Sequence, residues 1–297
     1  MATIYTQQDS NIRKTWFLMG VFLAVVIAIG YAVSFYMNSP AILYGAIIFA
    51  LIMNVGSYWF SDKMVLSMTG AHPITKDQAP ELYNIVENLS ITAGLPMPKI
   101  YIIDDPAPNA FATGRDPEHA VVAATTGLLK MLDKNEIEGV MAHELSHIGN
   151  RDMLVMTVAV VLAGFVAILA DFFSRAIMFS DNRDRHPAFL IVGIIGIILA
   201  PIAAQLIQMA ISRKREYLAD ASGALLTRYP EGLASALEKI SSYGQPMQKT
   251  SHATAHLFIS NPFGVEGRQS IGQKLSNLFA THPPAQERIR LLREMGK

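Results

Sequence analysis

The sequence predicts a mainly α membrane protein, in which four transmembrane helices carry an α+β domain with a small β-sheet. Four uncharged apolar runs predict the helices: 15–37, 41–60, 153–170 and 188–211, of 23, 20, 18 and 24 residues. About 20 such residues cross the ~30 Å hydrocarbon core of a bilayer as a helix. The stretches between and after them, 61–152 and 212–297, are polar and change period repeatedly, as an α+β domain in two halves would. Composition agrees: 51% of residues are hydrophobic, only 16% are charged, and the mean hydropathy is +0.30. Soluble domains carry about a quarter charged residues.

Two function classes recede at once. With 24 basic and 24 acidic residues the net charge is zero, which gives no reason to expect nucleic acid as a partner. Cysteine is absent, so a metal would have to be held by His, Glu or Asp.

Taken in order, residues 1–14 are polar and expected to fray, as a cytosolic N-terminus. The runs 15–37 and 41–60 are separated only by Asn38, Ser39 and Pro40, and are expected to form a tight helical hairpin. A cleaved signal peptide is disfavoured because the first apolar run is long and a second follows almost at once. The first half of the polar domain, 61–152, opens with an amphipathic helix over 77–95, where Leu82, Ile85, Val86 and Leu89 recur at helical spacing. Strands are expected at 99–104, 109–115 and 119–126, the last two joined by a turn at Arg115-Asp116-Pro117. Asp133 and Glu136 form a capping box, and the helix it opens runs to about Ile148, before Gly149 and Asn150. The runs 153–170 and 188–211 make a second hairpin around a hydrophilic loop, 171–187. Gly193 and Gly196 would let the fourth helix pack closely. The second half of the domain, 212–297, is helical at 217–226, 232–240 and 285–295.

Basic residues set the orientation. Arg13, Lys14, Lys63, Arg151, Arg213, Lys214 and Arg215 all fall on one side of a four-span chain, which is expected to be the cytoplasm. Arg175, Arg183 and Arg185 dissent, partly offset by Asp171, Asp181 and Asp184.

The capped helix carries His143-Glu144-Leu145-Ser146-His147. Histidines four apart lie on one helical face and can close on one metal ion, with Glu144 beside it. This is what a zinc peptidase needs: two imidazoles for the metal and a carboxylate to take a proton from water. The domain is therefore expected to be a zincin-like metallopeptidase. Such a site usually takes its third ligand from a later segment, and Glu216 is the candidate; the alternative is that Glu216 belongs to a solvated charge run with Arg213, Lys214 and Arg215. Asp220, four residues on, would hydrogen-bond the far nitrogen of a ligand histidine, most simply His143. Topology favours this pairing. The third span begins just after His147 and the fourth ends just before Glu216, so a hairpin returns both to one face.

The sequence resembles the HtpX family of integral-membrane zinc metallopeptidases, within the superfamily shared with the CAAX prenyl proteases. The resemblance rests on the four apolar spans, on Asn109-Ala110-Phe111-Ala112-Thr113-Gly114 and on the His143–His147 motif. It continues through Arg215-Glu216-Tyr217-Leu218-Ala219-Asp220 and through His282-Pro283-Pro284 with Glu287-Arg288-Ile289. It implies one zinc ion per chain on His143, His147 and Glu216, with Glu144 as the catalytic base. It also implies an endopeptidase of the bacterial inner (plasma) membrane, facing the cytoplasm, that clears damaged or misfolded membrane proteins. Its partners would be protein substrates and the lipid bilayer.

Further candidates follow. By resemblance to the superfamily, His282 and Arg288 lie near the zinc cleft. There His282 could donate to the oxyanion, and Arg288 could brace it or pair with Asp220. The alternative for His282 is a solvent-facing helix start. Residues 109–114 are expected to form an edge strand along the cleft, with Asn109 and Ala110 as backbone contacts for an extended substrate. His252 and His256, also four apart, lack a neighbouring carboxylate and read as part of a loop or helix face. His72, His119 and His186 are isolated and carry no assigned role. The irregular stretch 245–263 is long enough to close the cleft from within.

Other readings stay open. In site-2-type intramembrane proteases the same motif lies inside an apolar span, but here its helix is rich in charge. A non-catalytic scaffold or pseudoprotease with a structural metal would not need Glu144. A CAAX-type processing protease shares the zinc motifs but has more spans.

Overall fold

The computed structural model describes residues 4–178, 212–249, 254–264 and 283–296. The expected fourth span at 188–211, its Gly193 and Gly196, and His186, His252 and His282 lie outside them.

Two helices open the chain. α1 spans Ile4–Tyr36 and α2 spans Pro40–Trp59, joined by a turn in which Asn38 has φ 49. Both are long and apolar enough to cross a membrane. The N-terminal stretch expected to fray is instead helical from Ile4. It is held by contacts that polar composition conceals: Asn11 and Thr15 are 2% and 1% exposed. Outward faces of the pair are apolar and bare, as at Phe17, Tyr44, Ile48 and Ile52, all 58% exposed or more.

α3 (Ser61–Thr69) was not legible as periodicity in the sequence; it stops at Gly70, a left-handed cap with φ 69. α4 (Pro80–Ala93) begins later than expected, because Pro80 sets the first turn, and ends on left-handed Gly94.

The sheet has four strands in the order β1-β2-β4-β3. β1 (His72–Pro73) is antiparallel to β2 (Lys99–Ile103), β2 is parallel to β4 (Val121–Thr125), and β3 (Ala110–Thr113) is antiparallel to β4. β3 is therefore an edge strand. Alternate residues face two separate cores. Ile100, Ile102, Ala110, Ala112, Val122 and Ala124 pack toward the helices that carry the site. Ile103, Phe111, Val121 and Ala123 pack on the other face with Val65, Met156 and Phe258.

α5 (Thr126–Met131) is capped by Thr125, whose hydroxyl accepts from Leu128 N–H. α6 (Lys134–Gly149) opens on the expected capping box of Asp133 and Glu136. α7 (Asp152–Met178) follows after a bend of 83° at Asn150–Arg151. It passes the expected end of the third span at 170; between 171 and 186 the sequence holds no glycine or proline. α8 (Arg213–Thr227), α9 (Pro230–Ser242) and α10 (Ala285–Met295) complete the domain. The site-bearing core lies among α4, α6, α8, α9 and α10, while α1, α2 and α7 share a second apolar core.

Candidate active site

The site is built where α6 crosses α8. Gly223 allows the crossing: a Cβ there would stand 3.0 Å from the backbone nitrogen of His143. One and two turns N-terminal to Gly223, Asp220 and Glu216 project from the same face of α8 onto the histidines of α6. The 63 residues of chain between the two helices, 150–212, do not matter to the crossing, because helix packing alone sets it.

Four side chains meet there, and all are buried. His143 Nε2 and His147 Nε2 lie 3.2 Å apart. Glu216 places Oε2 at 3.8 Å from His143 Nε2 and Oε1 at 3.6 Å from His147 Nε2. Glu144 is 2% exposed and accepts a hydrogen bond from the backbone N–H of Ala112 on β3. Among the described residues, His143, His147 and Glu216 are the one group of metal-ligating side chains close enough to share an ion.

The donor set fits zinc. Tetrahedral ligands about 2.05 Å from a zinc ion stand roughly 3.3 Å from one another. The separations here are within half an ångström of that. Charge fits as well. Around the histidines are four buried carboxylates, Glu144, Asp152, Glu216 and Asp220, against two buried guanidiniums, Arg215 and Arg288. Carboxylates thus outnumber guanidiniums around the histidines, a surplus of acid that suits a bound cation. The two histidines shift in opposite directions. Burial lowers the basicity of His147, but hydrogen bonding to Asp152 and the charges of Glu216, Asp152 and Glu144 outweigh it, and its pKa rises to about 9. Burial dominates at His143, where the pKa falls despite Asp220. Burial also raises Glu144 to about 7.

Behind the histidines stand two supports. Asp220 Oδ1 lies 2.9 Å from His143 Nδ1, and Arg288 clamps Asp220. Of the two roles the sequence suggested for Arg288, the structure shows the pairing with Asp220. On the other side, Asp152 Oδ2 lies 3.3 Å from His147 Nδ1. Sequence reasoning missed Asp152. Its only signal was an acid just beyond Gly149-Asn150, at the head of an apolar run.

Asn109 and Ala110 lie at the start of the β3 edge, and both are engaged by the chain itself. Ile259 N–H donates to Ala110 O at 2.9 Å, while Asn109 Nδ2 donates to Ser260 O at 3.0 Å and Asn109 Oδ1 accepts from Ser260 N at 3.2 Å. Part of the irregular stretch 245–263 thus lies along the cleft strand. His256 is buried in a short turn at Ala255–Leu257 and is not in the metal-ligating group.

Residues 76–296 match the peptidase family M48. The chain belongs to that family. It is also similar over nearly its whole length to proteins described as protease HtpX homologs. That of Caldanaerobacter subterraneus subsp. tengcongensis is 46% identical, covering 99% of this chain and 98% of the relative. That of Syntrophobacter fumaroxidans is 50% identical, over 95% and 98%. That of Pyrococcus furiosus is 46% identical, over 95% of each. Ste24p of S. mikatae shares the fold at a TM-score of 0.52 and 18% identity, covering 97% of this chain and 67% of that one. This M48 member is a metalloprotease, and its apolar helices are in keeping with a place in a membrane.

Proposed function

We propose that this protein is a membrane-bound zinc endopeptidase that hydrolyses peptide bonds of misfolded or damaged membrane proteins and other unfolded chains. The observation that carries the reading is the buried convergence of His143, His147 and Glu216 with Glu144 beside them.

In this reading His143 and His147, through Nε2, and Glu216, through its carboxylate, hold one zinc ion per chain. Bound zinc supplies Lewis acidity, which polarises the scissile carbonyl and makes water a nucleophile near neutral pH. Glu144 takes the proton of the attacking water on a carboxylate oxygen and passes it to the leaving nitrogen. Burial keeps that carboxylate basic, and the Ala112 N–H holds it in place. Asp220 fixes the Nδ1–H tautomer of His143, and Arg288 holds Asp220. His282 is proposed as the donor to the developing oxyanion. An extended substrate pairs with the edge of β3. Asn109 and Ala110 serve as its contacts once the stretch at Ile259–Ser260 moves aside, and Ala112 continues the same edge toward Glu144.

The chain is divided as a cytosolic N-terminus at 1–14, hairpins at 15–60 and 153–211, and a catalytic domain in two halves, 61–152 and 212–297. In this reading the chain has four spans and its domain faces the cytoplasm from the inner (plasma) membrane. Support comes from the bare apolar faces of α1 and α2. Aromatic residues also mark both ends of this pair, as in an interfacial belt: Trp16 stacks on Tyr58 at one end, and Tyr31, Phe35 and Tyr36 are exposed at the other. From residue 16 to residue 35 α1 rises about 28 Å, near the thickness of a hydrocarbon core. If α7 crosses the bilayer, the 83° bend lays α6 along the membrane surface, so the motif sits beside the lipid rather than within it.

The test is cleavage of casein by the protein purified in detergent with zinc, compared with Glu144→Gln. Loss of at least a hundredfold in rate with zinc retained is expected. Equal cleavage by both forms would remove the mechanism. His282→Ala is expected to keep zinc and lose rate.

A further inference from the structure

Because His147 turns Nε2 toward His143 and Glu216, its Nδ1 faces away from the centre, and there it meets Asp152. Asp152 is fully buried. Burying a carboxylate is costly unless its oxygens are engaged. One oxygen is spent on His147. The other, Oδ1, accepts from Asn11 Nδ2 at 2.6 Å and lies 3.7 Å from Arg215 Nε. Asn11 donates also to Asn150 O at 3.2 Å, so one amide ties α1 to both sides of the turn between α6 and α7. Arg215 is 4% exposed, and none of its side-chain nitrogens has a hydrogen-bond partner among the described residues. Burial disfavours its charge, and the nearby acids Asp152 and Glu216 offset part of that cost.

The backbone is bent to make this possible. On a continuous helix, a residue five places beyond His147 would point about 140° away from it. The chain breaks instead at Arg151, which takes a left-handed φ of 55, a conformation unfavourable for a non-glycine residue. The resulting 83° bend returns Asp152, at the first position of α7, to face the histidine.

We propose that Asp152 is a positioning residue for the metal centre, holding the Nδ1–H tautomer of His147, and that Asn11 couples this carboxylate to the first apolar helix. Metal affinity then depends on how α1 is seated, although α1 contributes no ligand. The inference rests on the zinc reading above.

It is tested on the full chain in detergent. Zinc affinity is measured by competition with a chromophoric chelator, and the visible d–d spectrum of the cobalt-loaded protein is recorded. Asp152→Asn is expected to weaken zinc binding 10- to 100-fold. It should also shift the cobalt bands, which a merely structural change distant from the metal would not do. Asn11→Ala is expected to weaken zinc binding in the same direction by less. Zinc affinity within twofold of wild type in both variants, with an unchanged cobalt spectrum, would overturn the proposal. Should Asp152→Asn fail to fold, Asn11→Ala decides alone: unchanged affinity and spectrum overturn it. A wild-type protein that binds no zinc would instead overturn the metal reading itself.

Discussion

Arg288 closes on Asp220 through two parallel hydrogen bonds, Nε to Oδ2 at 2.8 Å and Nη2 to Oδ1 at 2.7 Å. Both side chains are buried, and the third guanidinium nitrogen, Nη1, donates to Ile259 O at 3.2 Å. One arginine on α10 therefore locks together the acid behind His143 and the segment along β3. Removing one partner of such a pair leaves the other charged in a dry site, at a cost of about 3–5 kcal/mol. Arg288→Met is expected to melt well below wild type in the zinc-free state. The double variant Asp220→Asn with Arg288→Met should recover part of that loss, because it leaves no orphaned charge. Strictly additive losses in the double variant would show the pair to be uncoupled.

Asp220 also sets an acid limit on stability. Burial alone would raise its pKa, but the charge and hydrogen bonds of Arg288, with help from His143, outweigh burial and bring it to about 2. A carboxylate whose folded pKa lies below its unfolded value stabilises the fold above the unfolded pKa. The stabilisation is lost as pH falls through the folded value. The window here is from about pH 4 down to about pH 2, and the contribution is about 2 kcal/mol. In zinc-free protein, the difference in melting temperature between wild type and Asp220→Asn is expected to be full at pH 6 and to shrink across that window. A gap of constant size down to pH 2 would contradict the assignment.

Gly223 is where packing and chemistry meet. A methyl group there would press on the backbone of His143 at 3.0 Å and of Ala142 at 3.2 Å, neither of which can rotate aside. Gly223→Ala is expected to separate α8 from α6 and carry Glu216 away from the histidines. Helix propensity pulls the other way, since alanine favours a helix over glycine by about 1 kcal/mol. The expected signature is therefore weakened zinc binding with little change in zinc-free melting. Unaltered zinc affinity would mean that the helices tolerate the added atom.

What the sequence revealed, and what it hid, follows the range of the forces involved. The pairing of His143 with His147 needs only one helical turn, and the capping box of Asp133 and Glu136 only three residues, so both were readable in one dimension. Glu216 was reachable by a topological argument, since a hairpin must bring its ends back to one side. Asp152 was hidden by the turn at Arg151, because no glycine announces its left-handed backbone. Asn11 was hidden further, in a polar stretch that reads as frayed until its burial against the α6–α7 turn is known. Strand β1 has two residues, too few for a period. The occupation of the β3 edge by Ile259 and Ser260 joins positions about 150 apart, and no local pattern encodes it.

That occupation makes a sharp prediction for Asn109. The sequence suggested a contact for substrate, yet in the structure its amide extends the edge of β3 by one rung toward Ser260. It donates to the Ser260 carbonyl and accepts from the Ser260 N–H, while Asn109 itself is 2% exposed. Truncation would leave both backbone groups of Ser260 short of a partner, at about 1–3 kcal/mol for each group that stays buried. For a chain of this size 1 kcal/mol corresponds to roughly 2–4 °C in melting temperature. Asn109→Ala is thus expected to lower the melting temperature by roughly 5 °C or more. Asn109→Asp should do little better, because a carboxylate cannot donate to the Ser260 carbonyl. If the side chain acted only on substrate, melting would stay unchanged and KM would rise for long peptides but not for short ones. Melting curves and KM values for a peptide series of increasing length separate the two roles.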